Sequence, residues 1–202
     1  MNKKQKQGAL LVLMGLCMVF ASLLLHVTEL RQDQQAGESA AVLLQQLELS
    51  RMSVPGTPEM VHPEESTSDA GVMPEKEYLG YAMIGTWRVP SVGIELPILS
   101  SWSYELLNVA PCRYSGSIPE ENMILMGHNY KSHFTPLHNL AEGASVEFED
   151  VNGIVYHYSV AEIEILHKND GELLPSEYPL TLFTCTRGGQ NRVVIRCQSN
   201  KK

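Results

Sequence analysis

The stretch LTLFTCTRGGQNRVVIRC, residues 180–197, decides the fold. It reads as two short strands, Leu180–Cys185 and Arg192–Cys197, joined by a loop whose Gly188-Gly189 pair can take the positive φ angles of a tight turn. With residues 186–191 as the loop, Cys185 lies directly across from Arg192. Facing residues on paired strands sit about 4.5–5.5 Å apart, so a guanidinium can reach that thiol or its ligand. Arg196 is four residues further along, about 13 Å away at about 3.3 Å per residue. Arg187 lies inside the loop and is the weaker rival. Register selects Arg192.

The same texture extends backwards to residue 76. Candidate strands are 82–89, 93–99, 122–126, 145–149, 154–165, 180–185 and 192–197, marked by two-residue alternation such as Val146/Phe148 and Tyr156/Tyr158/Val160. Pro90, Pro97, Gly116, Gly143, Gly153 and Pro175 punctuate them. Helix is expected only as a turn or two at 103–108 and 135–140. So many short strands in about 125 residues predict a mainly β domain, an antiparallel-rich barrel or sandwich.

Before residue 76 the chain changes character. Residues 8–27, GALLVLMGLCMVFASLLLHV, carry no Asp, Glu, Lys or Arg, and about twenty helical residues match a hydrocarbon core of about 30 Å. Lys3, Lys4 and Lys6 precede this run; Glu29, Arg31 and Asp33 follow it. The positive-inside rule then predicts a single-pass cell-membrane protein with residues 1–7 cytoplasmic and everything beyond residue 30 outside. The run exceeds the usual apolar core of a cleaved signal peptide, and no small-x-small site follows it, so an uncleaved anchor is expected. Residues 36–49 suggest a short amphipathic helix, with Ala40, Leu43, Leu44 and Leu47 on one side. Residues 53–74, with four prolines among Ser, Thr and Glu, read as a solvated spacer lifting the domain off the membrane. The expected division is 1–7, anchor 8–27, extracytoplasmic helix and linker 28–75, and catalytic domain 76–202.

The net charge of −8 is unevenly placed; residues 76–202 hold ten basic and fourteen acidic groups, and such a field opposes nucleic-acid binding. Cys112, Cys185 and Cys197 would all face outside, where disulfides are permitted, so at least one thiol is left over. A Cys112–Cys197 bridge is one possibility. A reactive thiol must first become a thiolate, which a neighbouring cation promotes, and an imidazole can then carry protons to a leaving amine. Of five histidines in the domain, His128 stands out because NMILMGHN runs as a buried strand into a Gly turn, whereas His133 and His138 fall in a longer polar loop. The five-residue spacing of 128, 133 and 138 fits no common zinc pattern, so no metal is expected.

Taken together, these residues resemble the sortase family of cysteine transpeptidases. TLFTC at 181–185 is similar to the family's T-L-x-T-C motif, Arg192 to its Arg at the start of the next strand, and GHN at 127–129 to its strand-end Gly-His. The likeness runs on through IGTWRVPSVGIELPIL (84–99), YSGSIPEENMILMGHN (114–129) and FTPLHNLAEGASVEF (134–148). The resemblance implies a closed eight-stranded β-barrel on a Gram-positive-type cell surface. It implies Cys185 as nucleophile, His128 as proton carrier, Arg192 as substrate and charge holder, and Thr184 as a substrate contact. Exported proteins bearing a C-terminal sorting signal would be the donors. A peptidoglycan precursor or a pilin lysine would supply the acceptor amine. The alternatives are an endopeptidase that transfers to water and a silent peptide-binding module. No Asp-Pro-aromatic lid motif precedes the domain. Cofactors are not expected; calcium, which activates some members, would fall to Glu142, Glu147, Glu149 and Asp150.

Overall fold

The computed structural model describes residues 3–52, 73–186 and 188–200. Nine strands follow one long helix, α1 (Lys3–Met52). They are β1 (Lys76–Tyr78), β2 (Tyr81–Val89), β3 (Ile94–Leu99), β4 (Cys112–Ser115), β5 (Met123–Met126), β6 (Ser145–Asp150), β7 (Val155–His167), β8 (Leu180–Cys185) and β9 (Asn191–Ser199). A single turn, α2 (Tyr104–Leu107), is capped by Ser103, whose hydroxyl accepts from the Leu106 amide at 3.1 Å.

The sheet order is β1-β2-β3-β4-β5-β8-β9-β7-β6, and β2 also pairs with β6 through Gly85–Arg88. That last pairing closes eight strands, β2 to β9, into a barrel, and β1 adds a ninth to the free half of the β2 edge. Closure leaves no long open edge, which suits a mainly β domain. Two neighbour pairs are parallel, β3 with β4 and β5 with β8. The second sets the end of β5 beside the end of β8, in register Met126↔Phe183.

Inward residues of the strands fill the barrel: Trp87, Leu125, Phe148, Leu182 and Ile195 are all fully buried. A smaller outer cluster, Ile124, Leu174, Phe183 and Val194, covers the other face of β5, β8 and β9. Strand alternation therefore places Leu182 and Thr184 toward the interior, and Phe183 and Cys185 toward the outer face.

Most of the expected strands form within a residue or two. β1 and β4 were not foreseen, being three and four residues long with too little alternation to register. The stretch expected at 154–165 is one strand, Val155–His167, bent by a register shift between Val160 and Glu162.

The helical half differs more. The expected anchor and separate amphipathic helix are one continuous rod of 50 residues, about 75 Å long. Residues 28–35, TELRQDQQ, contain no Gly or Pro, and Glu, Leu, Arg and Gln all favour helix, so nothing stops it. The large apolar residues between Leu10 and Leu25 are exposed, and this part of α1 is a candidate membrane span with mean hydropathy 2.5 in its most apolar window. From Ala36 on, α1 docks on the barrel through Ala36, Ala40, Leu43 and Leu47. The two leucines contribute about 1.5–3 kcal/mol each by burial. Arg51 adds an ion pair to Glu149 at 2.8 Å. Residues 53–72 of the expected spacer lie outside the described residues.

Candidate active site

Cys185 is the last residue of β8 and its side chain is exposed. The register with β9 is antiparallel and pairs it directly with Arg192. Gly188 and Gly189 take φ of 89° and 69° in the connecting turn, and Thr186 closes the loop by donating its amide to the Asn191 carbonyl at 2.8 Å. The guanidinium of Arg192 stands 5.4 Å above the ring of Phe183, on the same outer face as Cys185. Among the described residues it makes no ion pair, so its charge is not committed elsewhere. Arg196 differs: it faces Thr181, is 4% exposed, and pairs with Glu164 at 2.7 Å while donating to the Leu174 carbonyl. It is a structural cation. Arg187 falls outside the described residues.

His128 follows β5 after one glycine. The Gly127 amide donates to the Phe183 carbonyl at 3.3 Å, so the β5–β8 pairing reaches residue 127 and brings residue 128 to the end of the strand that carries Cys185. His128, Cys185 and Arg192 thus sit at the same end of three adjacent strands, in that order. Gly127 is needed for a close approach: a Cβ there would lie 2.7 Å from the ring of Phe134, which is fully buried. Burial lowers the pKa of half-buried His128, favouring neutral imidazole near pH 7.

Thr184 does not occupy the position expected of a substrate contact. It is 1% exposed, points into the barrel, and its hydroxyl donates to the Gly127 carbonyl at 2.9 Å. It ties the strand of the thiol to the strand of the imidazole.

The remaining cysteines are not bridged. Cys112 and Cys197 are both buried, in separate core clusters, and burial pushes each thiol up to about 12. The possible Cys112–Cys197 disulfide is therefore not formed, and Cys185 is the one exposed thiol in the barrel.

The acids considered for calcium are largely committed. Glu149 binds both Arg51 and Arg88, Glu147 lies 3.5 Å from His157, and Asp150 accepts the amides of Asn152 and Ile154. Among the described residues no cluster of three or more His, Cys, Asp or Glu is arranged as a metal site.

Sequence reasoning missed the part played by α1. Asp33 accepts from both the amide (2.9 Å) and the hydroxyl (2.7 Å) of Ser132, and a Cβ on Gly37 would come within 2.9 Å of the Ser132 Cβ. The helix thereby braces the loop that carries His128. Beneath it His133, expected in a polar loop, is fully buried, and burial lowers its pKa to about 4. Neither of its ring nitrogens makes a well-formed hydrogen bond, although the Ala36 carbonyl lies close enough to oppose that shift. The Tyr130 ring contacts both histidines in tilted geometry, its centroid 4.8 Å from that of His128 and 5.5 Å from that of His133. The signal was present as a stripe on α1: Asp33, Ala36, Gly37 and Ala40 share the face that continues to Leu43 and Leu47.

A cleft of about 760 Å³ opens beside His128, between α1 and the segment 128–135, with Gly188 at its edge.

Comparison with known proteins agrees with this fold. A family model described as Sortase domain matches residues 87–200. The Clostridium perfringens Sortase D5 transpeptidase superposes with a TM-score of 0.59 at 13% identity, over 83% of this chain and 99% of that one. Streptococcus agalactiae sortase C1, in a complex with MTSET, gives 0.53 at 21% identity, over 59% and 68%. Sortase C from Clostridium perfringens SM101 gives 0.51 at 21%, over 64% and 73%. No curated protein sequence matches. At these identities the structures establish the fold, and the family match, covering more than half of the chain, establishes descent: this chain belongs to the sortase family, whose members are cysteine transpeptidases.

Proposed function

We propose that the chain is a membrane-held cysteine transpeptidase that joins exported proteins to an amine at the cell surface, its N-terminus cytoplasmic and its barrel outside. The observation that carries this reading is the pairing of exposed Cys185 with Arg192, next to the strand end that bears His128. The Cys185 thiol passes its proton to neutral His128, and the thiolate so formed attacks the carbonyl of the scissile amide, in a Thr–Gly or equivalent bond of a sorting signal. As the C–N bond breaks, imidazolium at His128 protonates the departing amine, leaving a thioester on Cys185. In the second half an incoming amine attacks that thioester, its proton passes to His128, and the thiolate leaves. Arg192 holds the carbonyl oxygen as it gains charge, a role worth about 2.7–4 kcal/mol for a well-placed donor. Donors are exported proteins with such a signal. The acceptor is a peptidoglycan-precursor cross-bridge or a pilin lysine.

The test is mass spectrometry of the purified protein incubated with a panel of sorting-signal peptides. The expected result is an adduct on Cys185 equal to the donor peptide less its leaving amine, absent in Cys185→Ala. No adduct with any peptide, or an adduct that survives Cys185→Ala, overturns the reading. If adding an amine leaves the products unchanged, the enzyme is instead an endopeptidase that transfers to water.

A further inference from the structure

The stripe of α1 that faces the barrel changes chemistry along its length. Its docked part is small or apolar: Ala36, Gly37, Ala40, Leu43 and Leu47. Continued toward the N-terminus at the same spacing, it becomes Asp33, Leu30, Glu29 and His26, and there helix and barrel part to form the cleft beside His128. A helix that served only as a tether would turn such polar groups to solvent on its far side. Here Glu29 and His26 face the protein across open space. Asp33 is committed to Ser132, but Glu29 is exposed and makes no hydrogen bond or ion pair among the described residues. Among the described residues the opposite wall offers one cation, Lys131, with His128, Asn129, Tyr130 and Thr135. Counted over the described lining, two carboxylates against one ammonium make the cleft attractive to a cation.

We propose that this cleft is the holding site for the acceptor, a primary amine that arrives as an ammonium and is drawn in by Glu29. The inference rests on the transpeptidase reading and assigns the second half-reaction a place. The ammonium loses one proton to solvent. The neutral amine then attacks the Cys185 thioester, its second proton passes to neutral His128, the C–N bond forms and the C–S bond breaks. With the apolar run as the proposed membrane span, His26–Leu30 lie at its end and the cleft would open at the level of the membrane surface. An acceptor displayed on that surface would enter without leaving it.

The experiment uses the full-length chain in phosphatidylcholine vesicles, acylated with a donor peptide from the panel. Aminolysis is compared for glycinamide, largely an ammonium at pH 7, and hydroxylamine, which is neutral there. Glu29→Gln should raise KM for glycinamide about two- to fivefold, the range of an exposed ion pair, and Glu29→Lys should raise it further. KM for hydroxylamine should hold in both. Glu38→Gln removes another carboxylate of α1, one that bonds Gln34 outside the cleft, and should move neither value. Equal shifts for both amines, no shift in either Glu29 variant, or the same shift from Glu38→Gln overturns the proposal while leaving the thioacyl chemistry intact. Failure of the wild-type chain to form a thioacyl adduct refutes the transpeptidase reading, and this proposal with it.

Discussion

Replacing Thr184 with Val separates two roles for the residue next to the thiol. Valine keeps the shape and removes the hydroxyl that donates to the Gly127 carbonyl at 2.9 Å from a site only 1% exposed. The other hydrogen bond between these strand ends, from the Gly127 amide to the Phe183 carbonyl, is long at 3.3 Å. Loss of the hydroxyl strands a buried acceptor, at a cost of about 1–3 kcal/mol. A domain of this size loses about 2–4 °C of Tm per kcal/mol, so Tm should fall by about 2–12 °C. His128 follows Gly127 directly, and a displacement near 1 Å at a reacting group can cost about 100-fold. The single-turnover acylation rate should therefore fall about 10- to 100-fold while KM for the donor peptide stays within about twofold. Thr184→Ser retains the hydroxyl and should keep the rate, losing about 0.8 kcal/mol of stability for the missing methyl. Stopped acylation followed by mass spectrometry, alongside thermal denaturation, reads all three quantities. A Val variant with unchanged Tm and a raised KM would refute the tether and restore Thr184 as a substrate contact.

Arg192→Ala should lower kcat/KM for acylation by about 10²–10³, the loss of one charge-stabilising donor. Its contact with Phe183 contributes about 0.5–1 kcal/mol, so Tm should move by no more than a few degrees. Arg192→Lys keeps the charge without the forked donors and should fall between. Acylation in Arg192→Ala within threefold of wild type would remove the residue from the mechanism. His133 predicts an acid-sensitive fold. Its folded pKa of about 4 lies below the ordinary 6.5, so as pH falls the unfolded chain takes up the proton first. The stability it supports is complete above about pH 6.5 and lost between about 6.5 and 4, by about 3 kcal/mol at most. His133→Leu, which leaves no ring nitrogen unpartnered, should flatten urea-derived stability across that window; an unchanged slope would contradict the assignment.

Residues 180–197 were legible because a hairpin is local. Two alternating runs and a Gly-Gly turn fix the register, and register fixed Cys185 opposite Arg192. His128 could be singled out only as a strand-end residue, because the parallel β5–β8 pairing joins segments 57 residues apart and leaves no trace in spacing. Thr184 was misread for a related reason. Its neighbour's reactivity suggested contact with substrate, but on a strand adjacent side chains point to opposite faces, and its face is the barrel interior.

The helix gives the sharpest division. The apolar run at 8–27 and the absence of proline from 28 to 52 are written in the chain, because span length and helix propensity are local properties. That α1 lies along the barrel, fastens the His128 loop through Asp33 and Ser132, buries His133 and walls a cleft depends on contacts between residues about a hundred positions apart. Small residues such as Ala36 and Gly37 have no evident purpose in the sequence. Their meaning is the close approach they permit, and only the packed structure supplies the surface they approach.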